Sequence, residues 1–246
     1  MVRRVLTLAL GAILVLLATT ASPASADDAT YLGASSTEPR GGPSPQSAPV
    51  RPDGRPIYTA TVTRIPWRVR QWMTGLSWRP GCPVPLRRLR LVTLRYWGFD
   101  HAAHRGRLVV HRDIARNVVA IFGRLYDVAF PIREMRLVDR YGADDRTSME
   151  HDNTSAFNCR WRAGQPGVWS MHAYGKAIDL DPVENPYVWS GGFSPSNAAP
   201  YVDRSNRRRG MISHGDAVWW AFRNRGWEWG GDWAYPDYQH FSTNGR

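Results

Sequence analysis

With 246 residues, 43% of them hydrophobic, the chain has enough apolar material for one domain of ordinary size and too little length for two large ones. A formal charge of +11 implies an acidic partner, which could be nucleic acid, anionic lipid or the acidic polymers of a cell wall. The charge is dispersed, with Arg207-Arg208-Arg209 the only basic triple and no base-stacking or groove-reading motif beside it. That sets nucleic acid aside and leaves anionic cell-wall polymers as the expected electrostatic partner.

Residues 1–26 have the three parts of a secretory signal peptide. Arg3 and Arg4 stand at the front, an apolar run extends from Val5 to Ala18, and Ala24-Ser25-Ala26 precedes Asp27-Asp28. The run is short for a membrane span, so cleaved export is the expectation and an uncleaved anchor the alternative. Cleavage would remove two arginines and no acid, taking the formal charge from +11 to +9. No other segment is apolar enough to cross a bilayer. Residues 27–56, rich in Ser, Pro, Gly, Ala and Thr, read as a flexible linker. A single folded domain is expected over 57–246, where Tyr58, Val62, Ile65, Trp67, Val69, Trp72, Met73 and Trp78 begin to supply bulk.

Further along, Ile114, Val118, Ile121, Phe122 and Leu125 recur at helical spacing and predict an amphipathic helix over His111–Phe130, ending before Pro131. Met135–Asp139 has a mixed strand pattern, and Tyr141–Asn158 is polar and irregular, which predicts a long loop. Cys82 and Cys159 are the only cysteines, and an even pair in an exported chain predicts one disulfide. Pro182–Tyr201, punctuated by Asn, Gly and Pro, is a long excursion that could wall a groove. Ser213–Gly226 then reads as a helix with Ser213 as its cap, Asp216 in its first turn and Gly226 as its stop. Trp219 and Trp220 read as packing residues. Trp227-Glu228-Trp229 is strand-like, and Gly230-Gly231 turns the chain.

The chain's chemistry concentrates in Ser170-Met171-His172-Ala173-Tyr174-Gly175-Lys176-Ala177-Ile178-Asp179-Leu180-Asp181. It reads as a turn feeding a strand, in which Ala177, Asp179 and Asp181 share an open face while Ile178 and Leu180 point to the core. Gly175 allows a bend that brings His172 back toward Asp179. His and Asp at this spacing are by themselves more often a hydrogen-bonded pair than a metal site. His240, in Trp229-Gly230-Gly231-Asp232-Trp233 to Asp237-Tyr238-Gln239-His240-Phe241, offers a third ligand. Two imidazoles and one carboxylate suit zinc, with a fourth position left for water.

S-x-H-x-x-G-x-A-x-D, followed by W-G-G-x-W and an acidic-x-x-H-F ending, resembles the D-alanyl-D-alanine carboxypeptidase family of zinc peptidases, which includes VanY-like enzymes and phage L-alanyl-D-glutamate endolysins. The resemblance spans about residues 130–241 and implies His172, Asp179 and His240 as zinc ligands. It implies Asp237 as the general base, where many members have Glu, and Arg160 as the group that stabilises the oxyanion. Arg140 is a second candidate on the substrate, and Ser170 a residue that hydrogen-bonds the substrate or a ligand. The implied fold is α+β, with a small, mainly antiparallel sheet carrying the zinc site and helices covering its other face.

The function expected on this basis is that of a secreted zinc metallopeptidase acting on peptidoglycan stem peptides, at a D-alanyl-D-alanine terminus or at an internal L-alanyl-D-glutamate-type bond. A second class is a hedgehog-like module that keeps zinc and binds the cell wall without chemistry. Structural zinc sites usually have four protein ligands, whereas three ligands and a poised carboxylate favour the enzyme.

Overall fold

The structure, a computed structural model, describes residues 50, 54 and 56–245. The signal-peptide expectation and nearly all of the linker expectation therefore lie outside the described residues.

The fold is α+β and mainly antiparallel. Its largest sheet is a meander of β1 (Ala60–Arg64), β2 (Leu89–Trp97) and β3 (Ala103–His111), with helix α1 (Trp67–Met73) in the connection between β1 and β2. β2 pairs along its whole length with β3, from Leu89 opposite His111 to Trp97 opposite Ala103. That pairing holds His111 in the strand, so the following helix α2 spans Ala115–Asp127 and starts later than its apolar spacing predicts. Its face of Val118, Ile121, Phe122 and Leu125 is buried against Val92, Leu94 and Leu108.

Beyond α2 the chain is more ordered than its polarity predicts. β4 (Glu134–Met135) pairs in parallel with β5 (Asn153–Thr154), and helix α3 (Asp145–Glu150) lies between them in the stretch expected to be loop. Asp144 caps α3 by accepting the Thr147 N–H at 2.7 Å, so a short polar helix forms with little apolar periodicity. Hairpins follow in β6 (Trp161–Arg162) with β7 (Gln165–Trp169), and, after β8 (Ala177–Asp179), in β9 (Tyr187–Trp189) with β10 (Gly192–Ser194).

Helix α4 (Ala217–Arg223) is shorter than expected, and its cap is Asp216 rather than Ser213. Asp216 accepts the Trp219 N–H at 2.8 Å through Oδ1 and the Ser213 N–H at 2.6 Å through Oδ2, so Ser213 is held by the cap. Trp219 is buried as expected, whereas Trp220 is half exposed.

The sheet that carries the chemistry has the order β11 (Glu228–Trp229), β12 (His240–Ser242), β8, all antiparallel. Phe241 pairs with Ile178 and His240 with Asp179, so the alternation of the strands sends Ile178 and Phe241 to one face and Asp179 and His240 to the other. The apolar face joins the main core, where Phe241 stacks on Phe222 of α4 with ring centroids 3.8 Å apart.

A second core of Ile65, Val69, Met73, Leu89, Leu137 and Phe157 lies around Cys159. The disulfide Cys82–Cys159 closes here, with Cα atoms 5.9 Å apart. Among the described residues, no helix is long and apolar enough to cross a membrane.

Candidate metal centre and its surroundings

His172 sits on a single 3₁₀ turn, Met171–Tyr174. Ser170 opens that turn, its Oγ accepting the His172 N–H at 3.3 Å, and Gly175 closes it with a φ of 64° and an N–H donated to the His172 carbonyl at 2.9 Å. A Cβ on Gly175 would lie 2.8 Å from the backbone nitrogen of His111, so the position needs glycine for space as well as for conformation. Ser170 is buried, and its described hydrogen bond orients the turn beneath His172.

Asp179 is the last residue of β8. Its N–H and C=O both exchange 3.0 Å hydrogen bonds with Ser155, and His240 stands opposite it on β12. Asp179 is enclosed, as are its two histidine neighbours, where the sequence predicts an open strand face. Further along, Asp181 turns out of the strand direction with a φ of 43° and does not share Asp179's surroundings.

Three side chains meet here. His172 Nε2 lies 3.0 Å from Asp179 Oδ2, His240 Nδ1 lies 2.9 Å from Asp179 Oδ1, and the two ring nitrogens are 3.3 Å apart. The other nitrogen of His172, Nδ1, hydrogen-bonds the Ala156 carbonyl at 2.5 Å. A carbonyl can only accept, so Nδ1 carries a proton and Nε2 is the nitrogen turned toward the Asp179 carboxylate. Two ring nitrogens and a carboxylate converging in this way suit a cation between them, and a fixed Nδ1–H to carbonyl bond is the usual outer support of a metal-binding imidazole. Two nitrogens and one carboxylate within 4.8 Å of one another fit a metal such as zinc. Burial alone would raise the Asp179 carboxyl, but His172 and His240 against it hold it well below the ordinary carboxylate range.

Asp237 reaches this group through a turn at Tyr238-Gln239, in which the His240 N–H donates to the Asp237 carbonyl at 3.1 Å. An extended segment would have sent residues 237 and 240 to opposite faces; the turn removes that conflict. Gly230 makes room for it, because a Cβ there would lie 2.6 Å from the Asp237 carbonyl oxygen and 3.2 Å from the His240 Cβ. Asp237 Oδ1 is enclosed and has no hydrogen-bond partner. Burial, aided by Asp179, outweighs the pull of His240, Gln239 and Arg160 and pushes the Asp237 carboxyl up to about 7.

Arg160 is close enough for its charge to act on Asp237, and Asp145 of α3 fixes it through an Nη2–Oδ2 contact of 2.9 Å. Its Nε is buried without a partner. The disulfide is adjacent, at Cys159. Arg140 is exposed on the 3₁₀ turn Val138–Tyr141, where its charge acts on Tyr141. The excursion after β8 borders the Asp237 turn, since Val188 N–H donates to the Pro236 carbonyl at 2.8 Å and Tyr238 N–H to the Pro186 carbonyl at 3.2 Å.

Several contributors carry little sequence signal. Asp145 has none beyond its place in a polar run, and Ala156 acts through its backbone. Gly230 stands in W-G-G-x-W, where the sequence marks a turn and gives no sign of its steric role.

No curated protein and no solved structure matches the chain. Arg160 and both cysteines precede the stretch that a family model covers, whereas Ser170, His172, Asp179, Asp237 and His240 all fall within it. That stretch is residues 163–243, and the family it matches is D-alanyl-D-alanine carboxypeptidase, in agreement with the resemblance carried by the motifs.

Proposed function

We propose that this protein is a zinc-dependent peptidase that hydrolyses a peptide bond in peptidoglycan stem peptides outside the cytoplasm. The observation that carries this reading is the convergence of His172, Asp179 and His240 close to Asp237, whose Oδ1 is enclosed and without a partner. His172, Asp179 and His240 would hold the metal. Zinc, when bound, supplies a Lewis acid for the scissile carbonyl and acidifies a water.

The remaining roles belong to the chain. Asp237, with its Oδ1 enclosed and free of other partners, takes the proton of the attacking water and delivers it to the leaving amine. Arg160 directs N–H donors at the developing oxyanion, with Asp145 holding the guanidinium in place. Ser170 fixes the His172 turn. A basic chain would also be retained by anionic wall polymers.

The test is to incubate the protein with defined stem peptides, with and without chelator, and to weigh the products by mass spectrometry. Zinc-dependent release of a terminal D-alanine is the carboxypeptidase outcome, and an internal cut is the endopeptidase outcome. Binding to peptidoglycan with no zinc-dependent product under any condition would overturn the reading in favour of a non-catalytic wall-binding module.

A further inference from the structure

The structure buries a second set of acidic side chains. Asp152, Asp181 and Glu184 are 7%, 0% and 1% exposed, and one oxygen from each lies within 4.8 Å of the other two. Asp152 follows α3, Asp181 lies two residues beyond Asp179, and Glu184 belongs to the turn after it. Three carboxyl groups enclosed this closely repel one another when ionised and have lost their hydration, so their charge is costly unless positive charge is supplied.

The protein supplies it only in part. Arg133 places Nη2 3.1 Å from Glu184 Oε1 and Nε 3.5 Å from Asp152 Oδ2, but its side chain is 48% exposed, packed over the Phe99 ring at the rim. Backbone and hydroxyl donors add to this. Arg133 N–H reaches Asp181 Oδ1 at 2.9 Å, Val183 N–H reaches Asp152 Oδ1 at 2.8 Å, Thr154 Oγ1 lies 3.4 Å from Asp181 Oδ1, and the Tyr201 hydroxyl lies 3.4 Å from Glu184 Oε1. After all of these, Asp181 Oδ2 and Glu184 Oε2 remain enclosed with no hydrogen-bond partner. Buried polar atoms are normally satisfied, and two unsatisfied carboxyl oxygens in one enclosed group leave a place for a positive partner.

We propose that Asp152, Asp181 and Glu184 form a second metal site that binds calcium and so clamps the chain immediately after Asp179. The donor set is all oxygen, with no imidazole or thiolate, which selects a hard cation over zinc. Magnesium holds several waters in a strict octahedron, for which an enclosed group leaves little room, whereas calcium accepts irregular and bidentate carboxylate coordination. Without the cation the group neutralises itself by keeping a proton, and burial together with Glu184 pushes the Asp152 carboxyl up to about 8. Calcium would displace that proton. It would tie the Asp152 segment to the Asp181–Glu184 turn, adding to the links that Arg133, Val183 N–H and Thr154 already make.

The experiment uses the full chain, stripped of metal, reloaded with one equivalent of zinc and titrated calorimetrically with calcium chloride, with magnesium chloride in parallel. The expected result is one calcium per chain beyond the zinc, bound more tightly than magnesium and accompanied by a rise in Tm. Glu184→Gln and Asp152→Asn should each weaken calcium binding roughly tenfold or more while leaving the zinc content intact, because affinity at such sites follows ligand charge. His172→Ala should lose zinc and keep calcium. Absence of heat and of a Tm shift at millimolar calcium, or binding that survives both carboxylate substitutions, would overturn the proposal. So would a Glu184→Gln protein that is stabilised outright while calcium has no effect on the parent, since the group would then be a proton-sharing cluster. If Glu184→Gln does not fold, Asp152→Asn decides alone. Calcium is the readout, so a failure of the peptidase reading leaves this result interpretable.

Discussion

Asp237 is one methylene shorter than the glutamate that many members of the resembled family carry, and the Tyr238-Gln239 turn and the bare Gly230 backbone let its main chain come in close. Asp237→Asn should therefore keep zinc and fold but lose roughly a hundredfold or more in turnover, the usual scale of general acid–base catalysis. Turnover on stem peptides and metal content measured on the same preparation would check this. Two other carboxylates nearby in sequence offer no substitute. Asp232 is exposed and paired with His214 at 2.9 Å, and Glu228 lies exposed on β11. Near-normal turnover with full zinc would mean that no general base acts at position 237. For the ligands, His172→Ala, Asp179→Ala and His240→Ala should each lose most bound zinc, because three protein ligands leave none to spare. Metal analysis showing stoichiometric zinc in all three variants would refute the assignment.

At the scale of elements, the turn from Gly230 to His240 is the piece whose geometry the site depends on most. Gly230→Ala would press a methyl group into the Asp237 carbonyl and the His240 side chain, so it should lower both zinc affinity and turnover, while Gly226→Ala, at a position with open space around it, should cost only the strain of its positive φ. Zinc titration of the two variants would separate them. This element was legible because its residues are chemically distinctive and close in sequence. S-x-H-x-x-G-x-A-x-D and D-x-x-H identify their own turn and strand, and the alternation of Ile178 and Leu180 gives the buried face. Other elements were less legible for physical reasons. The sequence reading assigns nothing to residues 83–110, where β2 is buried at Val92 as well as at Leu91, so that its alternation is blurred. α3 is stabilised by its Asp144 cap and by tertiary contacts without an apolar stripe, and Ser213 competes in sequence with Asp216 for a cap that only the folded turn decides. Asp152, Asp181 and Glu184 become a group only when segments about thirty residues apart fold together.

For the whole molecule, the second acidic group predicts an unusual pH dependence. Asp152 faces Glu184, Asp181, Arg133 and, through Glu184, Tyr201, and burial with the help of Glu184 holds its folded pKa at about 8. In the unfolded chain an aspartate titrates near about 3.9. The folded state thus keeps a proton that the unfolded state releases, and this group's contribution to stability is full below about pH 4 and falls as pH rises toward about 8. In calcium-free buffer the Tm difference between the parent and Asp152→Asn should change in the variant's favour across that window, and thermal scans at several pH values would measure it. A flat difference would show that the Asp152 carboxyl titrates as it does in the unfolded chain. The disulfide acts on the same global scale. Cys82 and Cys159 are 77 positions apart, and closing a loop of that length is worth roughly 4 kcal/mol in the chain-entropy model. The cytoplasm keeps such thiols reduced, so under the proposed export a newly made chain would lack the tether beside Arg160 until it had left the cell interior. On that reading the bond would work as a clock, leaving the protein slack on the inner side of the membrane and taut on the outer side. Protein reduced and alkylated at both cysteines should retain zinc yet melt several degrees lower and turn over more slowly than the oxidised form, and equal turnover would place the timing of activity elsewhere.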